Sequence, residues 1–351
     1  MNHQTTDQAV PLSRRQLREA LAHCVQPSTP LALAWCVLDL GVFAAASVAV
    51  ASPLALGWKV ILSVLLALQI ARLFVLGHDA CHQALTPHRK LNRWLGRLVF
   101  LPSLTAYSLW ELGHNQAHHS FTNLRGRDGV WVPYSPQEYQ ALPRHQQCLQ
   151  HMYRCGWAPG LYYVVELWWK KLFFARPEHV GGQRPVFVRD SRLVACFAVV
   201  WAAALATAAS WWGQSVLQTW LFGLLLPWLG WSTVMGFVIY VHHTEPDVAW
   251  FDDGSHWAAA QPWLSTTLHV QAPVLSRLLH NILEHTAHHL DMSIPCYRLR
   301  QAQGQLAALA PHRIHARPLT WRYYWNVARR CKTYNYANHE WRPFPLREHA
   351  S

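Results

Sequence analysis

The stretch Val60-Ile-Leu-Ser-Val-Leu-Leu-Ala-Leu-Gln-Ile-Ala-Arg-Leu-Phe-Val-Leu-Gly-His-Asp-Ala-Cys-His82 decides the fold. Its first part, to Gly77, is an apolar run interrupted only by Gln69 and Arg72, close to the roughly 20 residues a membrane-spanning helix needs. Two histidines follow at once, four residues apart. If the helix runs on past the apolar part, both rings project from one face. Neutral imidazole is a transition-metal ligand, so the pair reads as part of a metal site at the edge of a membrane.

Three further runs match the first. Leu31 to Gly57, with Asp39 as its one charge, precedes it closely, and Leu193 to Trp212 and Val216 to Val241 form a second close pair. The pattern predicts an all-α membrane protein with four transmembrane helices in two hairpins (31–77 and 192–241). The polar segments 1–30, 78–191 and 242–351 must then share one side, the latter two as a helical cap, in one integrated domain from about 30 to 300. They carry 3, 13 and 11 Lys or Arg, whereas the short opposite turns hold at most Lys59. The positive-inside rule therefore puts the polar segments and the site in the cytoplasm, at the inner or plasma membrane if the chain is bacterial.

The composition agrees. Hydrophobic residues make up 52% and charged ones 14%, against about 25% charged in ordinary soluble chains. The net charge of +12 lies in the polar segments, facing anionic headgroups and an acidic electron carrier. Nucleic acid is a poor partner, because the basic residues are dispersed among interface aromatics. Leu12 to Cys24 suits a short basic amphipathic surface helix or a disordered arm, and the N-terminus has no signal-peptide core. Leu98 to Trp110 and Leu161 to Phe174 read as interfacial or as buried cap helices. Eight scattered cysteines without a C-x-x-C argue against a zinc ribbon or a disulfide framework.

Two more histidine clusters complete the pattern: His114-x-x-x-His118-His119 and His285-x-x-His288-His289. The i, i+4 relation links His114 with His118, and i, i+3 links His285 with His288. The adjacent pairs, His118 with His119 and His288 with His289, diverge by about 100° around a helix and so suggest two neighbouring metals. At the end of the fourth run, either His242 or His243 reaches the same depth, since Pro246 stops the helix. A regular helix turns His280 away from His285, leaving it a minor candidate. The isolated histidines, His3, His269 and His349 among them, read as surface or hydrogen-bonded core residues. Asp79 and Glu284 are candidates to orient ligand rings by accepting their second N–H.

Gly77-His-Asp-Ala-Cys-His82, Gly113-His-Asn-Gln-Ala-His-His119 and His285-Thr-Ala-His-His289, in that order between the apolar pairs, resemble the three histidine boxes of the membrane fatty acid desaturase superfamily. Asp128-Gly-Val-Trp-Val-Pro133, Tyr162-Tyr-Val-Val-Glu-Leu-Trp-Trp169 and Val241-His-His-Thr244 add to the likeness, which covers about residues 30 to 300 and is nearest to acyl-lipid desaturases of the Δ12 or ω-6 sort. The resemblance implies two irons held by His78, His82, His114, His118, His119, His243, His285, His288 and His289. It also implies O2 as co-substrate, a cis double bond formed in an acyl chain, and a lipid or fatty acyl substrate between cap and helices. No His-Pro-Gly-Gly motif of a fused cytochrome b5 occurs, so an external ferredoxin or cytochrome would supply the two electrons.

Two other readings use the same residues. A di-iron hydroxylase or ketolase of a lipid, alkane or carotenoid would share the ligand spacing. A zinc-binding membrane sensor or hydrolase would suit imidazole, although a catalytic zinc usually takes only three protein ligands.

Overall fold

The described chain, residues 12–345 of a computed structural model, opens on the helix α1 (Arg14–Ala20). The Ser13 hydroxyl accepts from the Gln16 N–H and the Gln16 side chain returns to the Ser13 N–H, so the exposed N-terminus is capped. Leu17, Leu21 and Cys24 are fully buried beneath it. This is the amphipathic helix expected over 12–24. Residues 1–11 and 346–351, with His3 and His349, lie outside the described residues.

Four helices are long and apolar enough to cross a membrane. They are α2 (Thr29–Ala51) and α3 (Leu56–Cys81), then, after several shorter helices, α7 (Pro185–Trp211) and α8 (Val216–His243). Their mean hydropathies over the most apolar window are 2.0, 2.3, 2.1 and 1.7. Two run furthest past the apolar stretches expected of them. α3 continues past Gly77 to Cys81, and α7 starts at Pro185, taking in Arg189, Asp190 and Arg192. An apolar count stops at the first charge, whereas a helix starts where proline fits its first turn. Val37 on α2 and Val199 on α7 are each 70% exposed. Apolar side chains bare to that degree along whole helices fit a lipid environment better than water.

Three of these shorter helices position the site: α4 (Arg89–Phe100), α5 (Tyr107–Trp110 continuing as the π-helix Glu111–His118) and α6 (Pro159–Tyr162 continuing as the π-helix Tyr163–Leu172). The apolar stretch 98–110 is thus two elements. The chain turns at Leu104, which takes the left-handed conformation at φ 52°, before α5 begins. α3 is the central pillar, packed on α2, α4 and α8. α8 meets α6 through Gly236, where a Cβ would overlap the Pro159 carbonyl.

The cap also holds α9 (His285–Leu290), α10 (Cys296–Leu309) and two small sheets. β1 (Leu268–Gln271) pairs in parallel with β2 (His315–Pro318), and β3 (Thr333–Asn335) antiparallel with β4 (Glu340–Arg342). The all-helical expectation is corrected here, since strands of three or four residues are too short to show a period-two pattern.

Candidate metal centre

Four segments bring imidazoles to one place. His78 lies in the last turn of α3 and His82 caps its end. His114 and His118 lie on the π-helical part of α5, with His119 as its cap. His243 ends α8, and α9 supplies His285, His288 and His289. Their nitrogens fall into two groups: His78, His82, His114, His119 and His288, and separately His118, His243, His285 and His289. Within each group one ligand atom per residue lies within 4.8 Å of all the others. The groups adjoin, the His119 and His289 rings stacking at 4.1 Å between centroids.

The helical spacing sorts these rings differently from the expectation. His114 and His118 separate into different groups, and His114 joins His119 instead. The π-helix is the cause: the His119 N–H donates to the His114 carbonyl at 2.9 Å, an i, i+5 bond that shifts the facing by one residue. On α9 the i, i+4 pair His285 and His289 share a group, and His288 faces the other. Each adjacent pair is split between groups, as its divergence around a helix requires.

Several rings have their outer nitrogen fixed. The Nδ1 atoms of His78 and His118 face carboxylates, Asp79 Oδ1 at 3.2 Å and both oxygens of Asp128 at 3.0 Å. The Nδ1 of His243 faces the Thr266 carbonyl at 3.2 Å. In each case Nδ1–H donates outward, leaving the Nε2 lone pair for the group. The Thr122 hydroxyl donates to the His118 carbonyl (2.8 Å) and so accepts from His289 Nδ1 (3.2 Å). Nε2 of His289 is then a buried lone pair with no partner.

Inside the groups the nitrogens crowd. His78 Nε2 lies 2.8 Å from His114 Nε2, and His243 Nε2 3.0 Å from His285 Nε2. Burial first, and then neighbouring imidazoles, push His82, His114, His119, His285, His288 and His289 below the ordinary imidazole value, so these rings stay neutral at pH 7. Neutral, buried, converging lone pairs are the donor set a transition-metal ion requires. The residues present fit two adjacent metals.

Other candidates fall elsewhere. His242 stacks on His285 at 3.9 Å but belongs to neither group. His280 turns away to Asp39. Glu284 is corrected as an orienting group: it pairs with His269 Nε2 at 2.7 Å and accepts from Ser276 Oγ at 3.0 Å, because its side chain points off the start of α9 toward β1. Asp79 does face His78 and also accepts from the Cys296 N–H, tying α3 to the start of α10. Sequence reading missed the part of Asp128, which takes N–H groups from Asn123 and Val130 besides His118. Its place at the head of the quoted Asp128–Pro133 motif was the available signal.

Beside the groups lies a cavity of about 380 Å³. Leu109, Leu112, Leu167 and Ile239 give it apolar walls, and His114, His118 and His285 line it as well. Lys171, held by donation to the Gly129 carbonyl at 3.1 Å, lines it together with the polar Gln116, Arg127 and His179. A mostly apolar space against a set of converging imidazoles suits a flexible hydrocarbon chain.

Comparison with known proteins points the same way. The family model described as fatty acid desaturase matches residues 15–322. The chain is 29% identical to the sn-1 oleoyl-lipid 12-desaturase of Picosynechococcus, over 95% of this chain and 93% of the relative. It is also 29% identical to the protein of that name from Synechocystis, covering 77% and 74% of the two chains. Similarity extends to the chloroplastic omega-6 fatty acid desaturase of Spinacia oleracea, 28% identical over 76% of this chain and 57% of the relative.

Proposed function

The chain belongs to the fatty acid desaturase family, and from that premise we propose a membrane-embedded di-iron enzyme that places a cis double bond at the Δ12 or ω-6 position of a lipid-linked acyl chain. It is an oxidoreductase that desaturates acyl-lipids, as its relatives are named. The observation that carries the finer reading is the meeting of nine imidazoles in two adjoining groups beside a hydrocarbon-sized cavity.

His78, His82, His114, His119 and His288 would hold one iron, and His118, His243, His285 and His289 the other. When bound, the iron pair supplies with O2 and two electrons the oxidising power to remove hydrogen from an unactivated methylene, which no side chain has. The protein's share is positional. Asp79, Asp128 and the Thr266 carbonyl fix ring tautomers, so the lone pairs face inward without rearrangement. Leu109, Leu167 and Ile239 exclude water and hold the chain extended against His114, His118 and His285. The basic, polar segments lie in the cytoplasm with the four helices as two hairpins. A separate ferredoxin or cytochrome reaches the centre from that side.

Expression in a host whose lipids are monounsaturated tests the proposal. Gas chromatography of the fatty acid methyl esters should show a new diene, and metal analysis of purified protein about two irons per chain. A hydroxylated product without a new alkene would move the enzyme to the hydroxylase reading; zinc without iron would overturn the di-iron centre.

A further inference from the structure

A second cavity, of about 410 Å³, lies on the outer side of α5 and shares Leu112 and Gln116 with the acyl cavity. Its walls are cationic. Lys90, Arg93 and Arg97 stand at i, i+3 and i+7 on one face of α4, and Arg184 and Arg189 approach from the start of α7. Against these five cations the site sets Glu111 and, beneath Arg97, Asp190.

Only part of that charge is neutralised. Arg97 is committed: Nε and Nη2 bind the two oxygens of Asp190 at 3.0 and 3.1 Å, and its guanidinium lies 5.0 Å from the Tyr107 ring centre. Arg189 Nε lies 3.7 Å from the same carboxylate. Among the described residues, Lys90, Arg93 and Arg184 make no ion pair. The backbone adds to the imbalance. α4 and α7 both begin here, α4 with Arg89 and Lys90 in its first turn and α7 with Arg184 as its N-cap, and neither has an acidic residue in its first turn. Helix N-termini carry partial positive charge, so cations placed there cost stability unless an anion joins them. Trp94, 73% exposed, and Leu98, 46% exposed, continue the α4 surface beside the pocket, as suits a helix at headgroup depth.

We propose that this basic cavity binds the phosphodiester of an anionic glycerophospholipid whose acyl chain occupies the adjoining apolar cavity, making Lys90, Arg93 and Arg184 determinants of the lipid class. Leu112 and Gln116 line both cavities, so one molecule lying across them would place its phosphate in one and its hydrocarbon in the other. The inference rests on the desaturase reading for the acyl chain. Its recognition chemistry is separate, and it can be measured without turnover.

The experiment offers delipidated full-length protein an equimolar mixture of dioleoyl phosphatidylglycerol and dioleoyl monogalactosyldiacylglycerol. Retained lipid is then quantified by mass spectrometry after repurification. The wild type should enrich the phospholipid. The double variant Arg93→Gln/Arg184→Gln, which alters two exposed side chains outside any described ion pair (Arg184 lies over the Phe187 ring at 5.4 Å), should lose about five-fold of that enrichment per cation removed while still holding the galactolipid. Lys90→Gln/Arg93→Gln serves if the first variant is unstable. Equal retention of both lipids by the wild type, or an unchanged ratio in the variants, overturns the proposal. So does competition in which oleoyl-coenzyme A, and not phosphatidylglycerol, is held in an Arg93-dependent way, because the anion would then come from a soluble carrier. Desaturation of host lipids is read separately, so loss of one result leaves the other standing.

Discussion

His280 Nε2 donates to Asp39 Oδ2 at 2.6 Å, joining the middle of α2 to the loop that leads into α9. Arg72 on α3 closes the arrangement: its Nε binds Asp39 Oδ1 at 2.8 Å and its Nη1 donates to the Leu278 carbonyl at 2.9 Å. Trp35 stacks on the His280 ring at 4.4 Å. His280 and Asn281 both hold positive φ, 50° and 62°, a conformation that needs tertiary support in residues other than glycine. Asp39→Ala would leave Arg72 without its carboxylate and release the loop. The expected cost is about 3 kcal/mol, read as a lowered unfolding temperature in detergent, with reduced metal content because His285 follows the freed loop. A variant with wild-type stability and metal content would show the clamp to be dispensable.

His242 and His243 separate two roles that adjacent positions could have shared. His243 Nε2 faces His285 Nε2 at 3.0 Å with its Nδ1 on the Thr266 carbonyl, whereas His242 only stacks on His285. His243→Ala should lose one iron per chain and all desaturation. His242→Ala should keep the metal and lose stability through a cavity, on the order of 2 kcal/mol. Iron analysis beside thermal unfolding distinguishes them, and the reverse result would exchange their places.

Acid should destabilise the metal-free protein. Burial holds His82, His114, His119, His285, His288 and His289 below the ordinary imidazole value, so the folded chain refuses protons that the unfolded chain accepts near pH 6.5. With more protons bound in the unfolded state, stability falls as pH drops through that value. Chelator-treated protein should therefore unfold at a lower temperature at pH 5.5 than at pH 7.5. Equal temperatures would mean that the rings become charged without cost.

The four long apolar helices were legible because burial in lipid demands continuous apolar runs, and the histidine segments because the histidines cluster in sequence, His78, His82 and His243 at or just past the ends of such runs. The sorting of the rings was not legible. It depends on the π-helical bond from His119 to His114, a backbone choice that no residue in 111–118 announces. The carboxylate partners were read in half: Asp79 lies next in sequence to His78, but Asp128 reaches His118 through a turn, and Glu284 points away despite adjoining His285. The basic cavity was invisible for a similar reason, since its cations come from α4 and α7, about ninety residues apart in sequence, and meet only through tertiary packing.

Gly236 makes the contact between α8 and α6 possible. A methyl group there would meet the Pro159 carbonyl, a backbone atom fixed at the start of α6, so neither side can yield by a rotamer change. Gly236→Ala should cost about 1–3 kcal/mol. Displacing α6 also shifts Leu167 and Lys171 in the acyl cavity, so KM should rise along with the loss of stability. Unaltered unfolding and KM would mean that the two helices part freely.

Gly113 offers the opposite case, a position where bulk fits the fold and obstructs the substrate. It lines the acyl cavity next to His114, and an added Cβ would meet no atom within 4 Å. The Cβ of Gly113→Leu therefore strains no neighbour and the rest of the side chain has the cavity to enter, and replacing a helical glycine with leucine favours the helix by up to about 1 kcal/mol. The isobutyl group takes volume from the 380 Å³ that the hydrocarbon would occupy. Desaturation of oleoyl lipid should drop at least about ten-fold, the penalty of losing roughly 1.4 kcal/mol of binding, while iron content and unfolding temperature stay at or above those of the wild type. If turnover were unaffected with the leucine in place, the acyl chain would have to reach the metal groups by another route.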